Sequence, residues 1–209
     1  MLIDPIRVEN ILAVFNIKVT GVLHLGAHEC EEMTFYKENL GLSPDTIIWV
    51  DALQECVDAA KARGIPNVYQ AVLDEVERDT VFHITNNKQS SSLLEFGTHA
   101  NNYAYVKNTE HRDVKTQTLA TFVEKNQLNI KKYNFWNLDL QGMDTAVLKG
   151  GEQFLQYVDC VYIEVNTENV YNGNGLLEET DTLLKQHGLT RKILHMTSCG
   201  WGDALYLRK

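Results

Sequence analysis

The stretch Val19-Thr20-Gly21-Val22-Leu23-His24-Leu25-Gly26-Ala27-His28 decides the fold class. Residues 19–25 form a β-rich, mostly apolar run, and Gly26 ends it at a tight turn. Residues 29–39 then carry Met33, Phe35 and Tyr36, with Leu40 after them, at helix-like offsets, and Gly41 closes the segment. The unit repeats. Residues 46–50 are a buried-type strand ending in Asp51. Residues 53–63 form a helix with Leu53, Val57 and Ala60 on one face and Gly64 just past its end. Residues 67–73 read as a third strand. This alternation predicts a parallel sheet with helices on both faces.

Working outward, residues 80–85 and 114–118 alternate with the two-residue period of exposed or edge strands. Between them, residues 86–108 are polar and rich in Ser and Asn, which predicts a long loop or mobile cover. Residues 119–126 read as a helix, 133–140 as a strand, 144–157 as a helix and 160–165 as a strand. The loop Asn172-Gly173-Asn174-Gly175 leads into a helix over 176–187. Residues 193–197 and 204–208 form a terminal antiparallel hairpin at the sheet edge. The expectation is a single α/β domain over residues 1–209. It is Rossmann-like, with about seven main strands, mostly parallel, an antiparallel terminal strand, and a small insertion at about 79–118 between strands three and four.

With 209 residues, 19 Lys and Arg against 28 Asp and Glu, the formal charge is −9. That balance disfavours nucleic acid and anionic lipid as partners, since both demand basic surface. A hydrophobic fraction of 44% is that of a globular protein. No apolar run reaches the roughly 18 residues a membrane span needs, and Met1-Leu2-Ile3-Asp4-Pro5 lacks a signal-peptide layout. The expected location is cytoplasmic, in the host cytosol if the protein is viral. Cys30, Cys56, Cys160 and Cys199 are far apart, with no zinc-type spacing, and read as free thiols. The oligomeric state is left open.

In open α/β sheets, ligands bind at the carboxyl ends of the strands. That rule selects Gly26, Ala27 and His28, then Asp51, then Asp139 and Gln141, then Glu164 and Asn166. Asp51 follows Gly26 by 25 residues and is placed to accept hydrogen bonds from both ribose hydroxyls of an adenosine-containing cofactor. The turn continues His28-Glu29-Cys30-Glu31-Glu32. Its three carboxylates repel a diphosphate and suit S-adenosylmethionine, which carries no phosphate and is cationic at its sulfonium and amino groups. The terminal antiparallel pair matches the seven-stranded methyltransferase variant of this sheet.

The sequence resembles the FkbM family of S-adenosylmethionine-dependent methyltransferases, particularly its small branch among glycan-modifying and large-virus proteins. The match is carried first by His24-Leu25-Gly26-Ala27-His28 with Glu31, Glu32 and Tyr36, and by Gln89-Ser90-Ser91-Ser92-Leu93. It continues through Leu138-Asp139-Leu140-Gln141-Gly142 with Val147-Leu148-Lys149-Gly150, and through Tyr162-Ile163-Glu164-Val165-Asn166. It ends in Gly200-Trp201-Gly202-Asp203-Ala204-Leu205-Tyr206. Cys30 departs from the pattern, standing where relatives often have Gly. The resemblance implies a class I methyltransferase fold, transfer to hydroxyls of sugars or glycans, and in some members a divalent cation.

The candidate donor-binding set is Gly26, Ala27, His28, Glu31, Asp51, Ala52, Ser91, Asp139 and Gln141. A sugar hydroxyl is a weak nucleophile and needs a base or a metal to draw off its proton. Asp139, Glu164 and Asn166 offer an oxygen ligand set for Mg²⁺ or Mn²⁺. The metal-free alternative makes Asp139, or else His195, the general base. His24 reads as a hydrogen-bonded core residue, His99 and His111 as residues of the polar insertion, and Trp201 as a stacking surface for a sugar or a cap on the core. Two alternatives stand beside sugar O-methylation: a non-sugar acceptor such as a peptide, lipid or small metabolite, and a catalytically silent binding subunit.

Overall fold

The computed structural model describes residues 1–208. The chain runs α1 (Pro5–Val14), β1 (Val22–Leu25), α2 (Met33–Glu38), β2 (Ile47–Asp51), α3 (Gln54–Ala62) and β3 (Val68–Gln70). It continues through β4 (Asp79–Thr85), α4 (His99–Asn102), β5 (Asn108–Lys115), α5 (Leu119–Lys125), β6 (Phe135–Leu138) and α6 (Asp144–Gly150). It ends with β7 (Cys160–Asn166), α7 (Leu177–Gln186), β8 (Leu189–Met196) and β9 (Trp201–Arg208). Seven strands form one sheet in the order β3-β2-β1-β6-β7-β9-β8. The pairings from β3 to β7 are parallel. The last strand, β9, slots antiparallel between β7 and β8. The sheet therefore has the seven-stranded, mostly parallel architecture that the alternation predicts. The remaining strands, β4 and β5, form a separate antiparallel pair inside the 79–118 insertion.

The central strands are apolar along their whole length because helices cover both faces. Leu23, Leu25, Ile48, Val50, Trp136, Leu138, Val161 and Ile163 face a core shared with Leu119, Phe122, Val147, Leu148 and Leu184. Their neighbours in sequence, Val22, Ile47, Trp49, Phe135 and Tyr162, face a second core with Val8, Leu12, Phe35, Tyr36, Val57 and Ala60. Trp136, Trp49 and Tyr36 are fully enclosed, so truncating any of them would cost about 3–5 kcal/mol. The second core carries one polar seam. Tyr36 Oη lies 3.0 Å from His24 Nδ1 and accepts from Asn137 Nδ2 at 2.6 Å, so His24 is a hydrogen-bonded core residue.

Two local expectations are corrected, and one element is new. The helix read over 29–39 begins only at Met33, because His28 (φ +40°) and Cys30 (φ +58°) take left-handed backbone conformations that interrupt helical winding. That conformation favours glycine, so Cys30 holds its turn at a conformational cost. The helix read over 144–157 stops at Gly150 and continues as a 3-10 segment, Glu152–Tyr157. A Cβ at Gly151 would lie 2.6 Å from Leu119 Cδ2, so the chain tightens there against α5. Helix α1, absent from the sequence reading, is set by Asp4, whose side chain accepts from Ile6 N at 2.8 Å, and by Pro5 in the first turn.

The insertion lies over the carboxyl ends of the strands, stitched down by backbone and side-chain hydrogen bonds. Gly97 N donates to Val170 O at 2.9 Å, Asn172 N to Glu95 O at 2.8 Å, and Ser92 Oγ to Gln141 O at 2.8 Å. All four cysteines are free thiols, three of them buried. Among the described residues, no helix is long and apolar enough to cross a membrane.

Candidate active site

Strand order reverses between β1 and β6, so the chain leaves these neighbours in opposite directions and opens a crevice at their carboxyl ends. A cavity of about 430 Å³ occupies it, within the size range of small-molecule sites. Gly26 makes the crevice possible: its φ is +86°, and a Cβ there would sit 1.8 Å from Asp139 O. This glycine is required by the approach of one strand-end turn to the other.

Asp51 ends β2 beside that turn. Its Oδ2 accepts from His28 N at 2.7 Å and its Oδ1 from Leu53 N at 2.8 Å, which leaves a lone pair on each oxygen facing the cavity. Burial pushes its pKa up, and the two backbone donors pull it back. His28 Nδ1 meets Glu31 Oε1 at 2.8 Å, so the acidic turn folds back on itself ahead of α2. Beyond Asp51, the wall is apolar, formed by Leu53, Ala71, Val72, Phe82 and Leu93.

At the other side, Asp139, Gln141 and Glu164 form one network. Gln141, in a left-handed conformation (φ +51°), donates from Nε2 to Asp139 Oδ1 at 2.6 Å and to Glu164 Oε2 at 3.1 Å. Tyr171 Oη donates to Gln141 Oε1 at 2.7 Å, which fixes the amide's orientation. Beneath them, buried Asp144 accepts from Leu140 N at 2.9 Å and Gly142 N at 3.3 Å and so holds the turn. Asp139 is reached by solvent from the cavity, yet its enclosure by protein pushes its pKa up to about 6, with Asp203 and Glu32 adding to the shift. Burial raises Asp144 to about 7 and Glu164 well above the usual carboxylate range, and both are raised further by the Asp139 charge. Perturbed carboxyls gathered in a crevice mark it as a candidate functional site.

A second cavity of about 110 Å³ adjoins the first and is lined by His99, Tyr103, Val170 and Tyr171, with Gln141, Glu164 and Trp201 common to both.

Of the residues selected from sequence, Gly26, His28, Glu31, Asp51, Ala52, Ser91, Asp139, Gln141 and Glu164 line the larger cavity. Ala27 lies just behind it, buried, its N–H bonded to Val50 O at 3.0 Å. His195 is exposed on edge strand β8, outside both cavities, so it is not positioned as the base. The metal set Asp139, Glu164 and Asn166 is also corrected. The Gln141 amide stands between the two carboxyls and presents N–H groups, which repel a cation. Asn166 is buried outside both cavity linings, its Oδ1 without a partner. Among the described residues, no group of three or more His, Cys, Asp or Glu is arranged to hold a metal ion.

Asp144 and Tyr171 join the site beyond the residues that the strand-end rule selects. Asp144 had a signal, a carboxylate two residues past Gly142 at a helix start; Tyr171 had only its place before the Asn/Gly-rich loop.

A family model for the FkbM methyltransferase domain matches residues 25–190. Among solved structures, the chain is similar to the FkbM methyltransferase of Methylobacillus flagellatus KT, at 9% identity and a TM-score of 0.54, over 91% of this chain and 44% of that one. It thus spans less than half the length of that protein. It is also similar to the magnesium protoporphyrin IX methyltransferase of Synechocystis PCC 6803 with bound SAH, at 9% identity and a TM-score of 0.50, over 98% of this chain and 82% of that one. At such identities the structural likeness speaks for the fold. No curated protein matches the sequence. The family domain covers most of the chain, on a sheet of class I methyltransferase topology: the protein belongs to the FkbM methyltransferase family and has the fold of S-adenosylmethionine-dependent methyltransferases.

Proposed function

We propose that the protein is an S-adenosylmethionine-dependent O-methyltransferase that methylates a hydroxyl of a sugar or glycan. The observation that carries this reading is Glu164, a buried carboxyl of raised pKa standing where the larger, acidic cavity meets the smaller, aromatic one. S-adenosylmethionine supplies an electrophilic methyl group on a sulfonium. In this reading Asp51 accepts the ribose hydroxyls, and the apolar cavity wall of Ala71, Val72, Phe82 and Leu93 covers the adenine. Glu31, Glu32 and Asp139 give the remainder of the cavity the negative charge that a cationic donor needs.

Glu164 takes the proton from the acceptor hydroxyl as its oxygen attacks the methyl carbon. The new O–C bond forms while the C–S bond breaks with its electron pair left on sulfur; the products are a methyl ether, a neutral thioether and protonated Glu164. Gln141 holds Glu164 and Asp139 apart and in register, and Tyr171 holds Gln141. Burial raises the Glu164 pKa, the direction that makes a carboxylate a stronger base.

The test is incubation with methyl-labelled donor and a panel of glycans and small glycosides. Label recovered as an alkali-stable sugar methyl ether supports the reading. Transfer to a peptide, lipid or amine, or no transfer by protein that binds the donor, counts against it.

A further inference from the structure

The insertion holds two histidines that line neither cavity. His83 of β4 and His111 of β5 stand directly opposite one another in the antiparallel register, which puts both side chains on one face of the pair. Their rings lie 5.0 Å apart with 86° between the planes, and Nδ1 of one is 2.9 Å from Nδ1 of the other. Two lone pairs, or two N–H groups, would repel at that distance, so a single proton or a single cation is shared between them. His28 and His187 are placed differently: each meets a carboxylate, Glu31 and Glu152, at 2.8 Å.

The backbone fixes the arrangement. His83 N donates to Ser92 O at 2.8 Å and Ser92 N donates to His83 O at 3.1 Å, so β4 is held here on the edge away from β5 as well. The Glu95 carboxylate lies 3.8 Å from His83 Nε2. A carboxylate there favours the tautomer with its proton on Nε2, which leaves the Nδ1 lone pair free to ligate. Arg112 lies on the opposite face, paired with Glu55 and Glu110. Asp113 shares the histidine face, so it and Glu95 supply carboxylates that suit a cation. His111 is exposed, which opens the pair to solvent.

We propose that His83 and His111 chelate one divalent transition-metal ion through their Nδ1 atoms, at a site separate from the methyl-transfer crevice. An ion with metal–nitrogen bonds of about 2.0–2.1 Å at a right angle holds its nitrogens about 2.9 Å apart, the spacing found here. A tetrahedral ion such as Zn²⁺ needs about 3.3 Å. The spacing therefore favours Ni²⁺ or Cu²⁺, which take nitrogen ligands at right angles. Among the described residues, no group of three or more His, Cys, Asp or Glu is arranged to hold a metal ion. The site is thus a two-histidine chelate whose other positions go to water. A bound ion ties β4 to β5 and braces the insertion, which Ser92 Oγ joins to Gln141 O at 2.8 Å.

The experiment is calorimetric titration of Ni²⁺ into metal-free protein in a non-coordinating buffer, for wild type, His83→Gln, His111→Gln and the double variant. Wild type should bind one ion in a saturable step, with affinity at least about tenfold weaker in either single variant. Saturating Ni²⁺ should raise the thermal midpoint of wild type and leave that of the double variant where it was. His111 is exposed, so His111→Gln carries the test if His83→Gln does not fold. Equal Ni²⁺ affinity in wild type and in His111→Gln, or no saturable step in wild type, would overturn the proposal and leave the pair sharing a proton only.

Discussion

Binding of S-adenosylmethionine should drive protons out of the cavity, because carboxyls held at raised pKa meet a cation there. Asp139 is pushed up to about 6, so at pH 6 it is about half protonated. An opposite charge within about 4–6 Å lowers a carboxyl pKa by about 1–3. With a shift of about 2, the protonated fraction of Asp139 falls from about 0.5 to about 0.01, a release of about half a proton at pH 6 and about 0.1 at pH 7. Isothermal titration in buffers of different ionisation enthalpy reads the number directly. By linkage, donor affinity should tighten as pH rises through 6, since the deprotonated site is the one that binds. S-adenosylhomocysteine, whose sulfur is neutral, should release fewer protons, and Asp139→Asn should remove the share seen at pH 6. A binding heat independent of buffer between about pH 5.5 and 8 would refute the reasoning.

Asp51→Asn removes the charge from the proposed ribose acceptor, so donor affinity by titration should fall about tenfold or more; unchanged affinity would end the donor assignment. Gly26→Ala forces a Cβ to within 1.8 Å of Asp139 O at a φ of +86°, so the thermal midpoint should drop by the equivalent of about 3 kcal/mol or more. A midpoint near wild type would mean the two turns can separate. Chelation should leave the transfer rate unchanged, because the Gln141 amide already bridges Asp139 and Glu164; loss of rate, restored by Mg²⁺ or Mn²⁺, would place a cation between them.

The sheet was legible because its strands are short apolar runs closed by turn residues, and residues 46–50 and 160–165 could hardly be anything else in an alternating chain. That Asp51, Asp139, Gln141 and Glu164 would gather on one cavity was legible for the same reason, since strand ends in such a sheet border a crevice. The turn at 28–32 was not, because left-handed His28 and Cys30 are non-glycine residues whose composition gives no warning. Gln141 was visible as a residue, but its placement between two carboxyls depends on Tyr171, thirty positions away in sequence. The smaller cavity was least legible: His99, Tyr103, Tyr171 and Trp201 meet only because the insertion is bonded to the segment after β7. His195 shows the reverse error, a plausible base placed on an exposed edge strand by the terminal hairpin.

The central claim is that Glu164 draws the proton from an acceptor hydroxyl during methyl transfer. Its most direct test is the single-turnover transfer rate of Glu164→Gln against wild type, with methyl-labelled donor and whichever glycoside the panel shows to be methylated. The variant's rate should be lower by about 10²–10⁴, with donor affinity still within about threefold at pH 8, where Asp139 is ionised on its own. A variant that binds the donor and transfers methyl at the wild-type rate would contradict it.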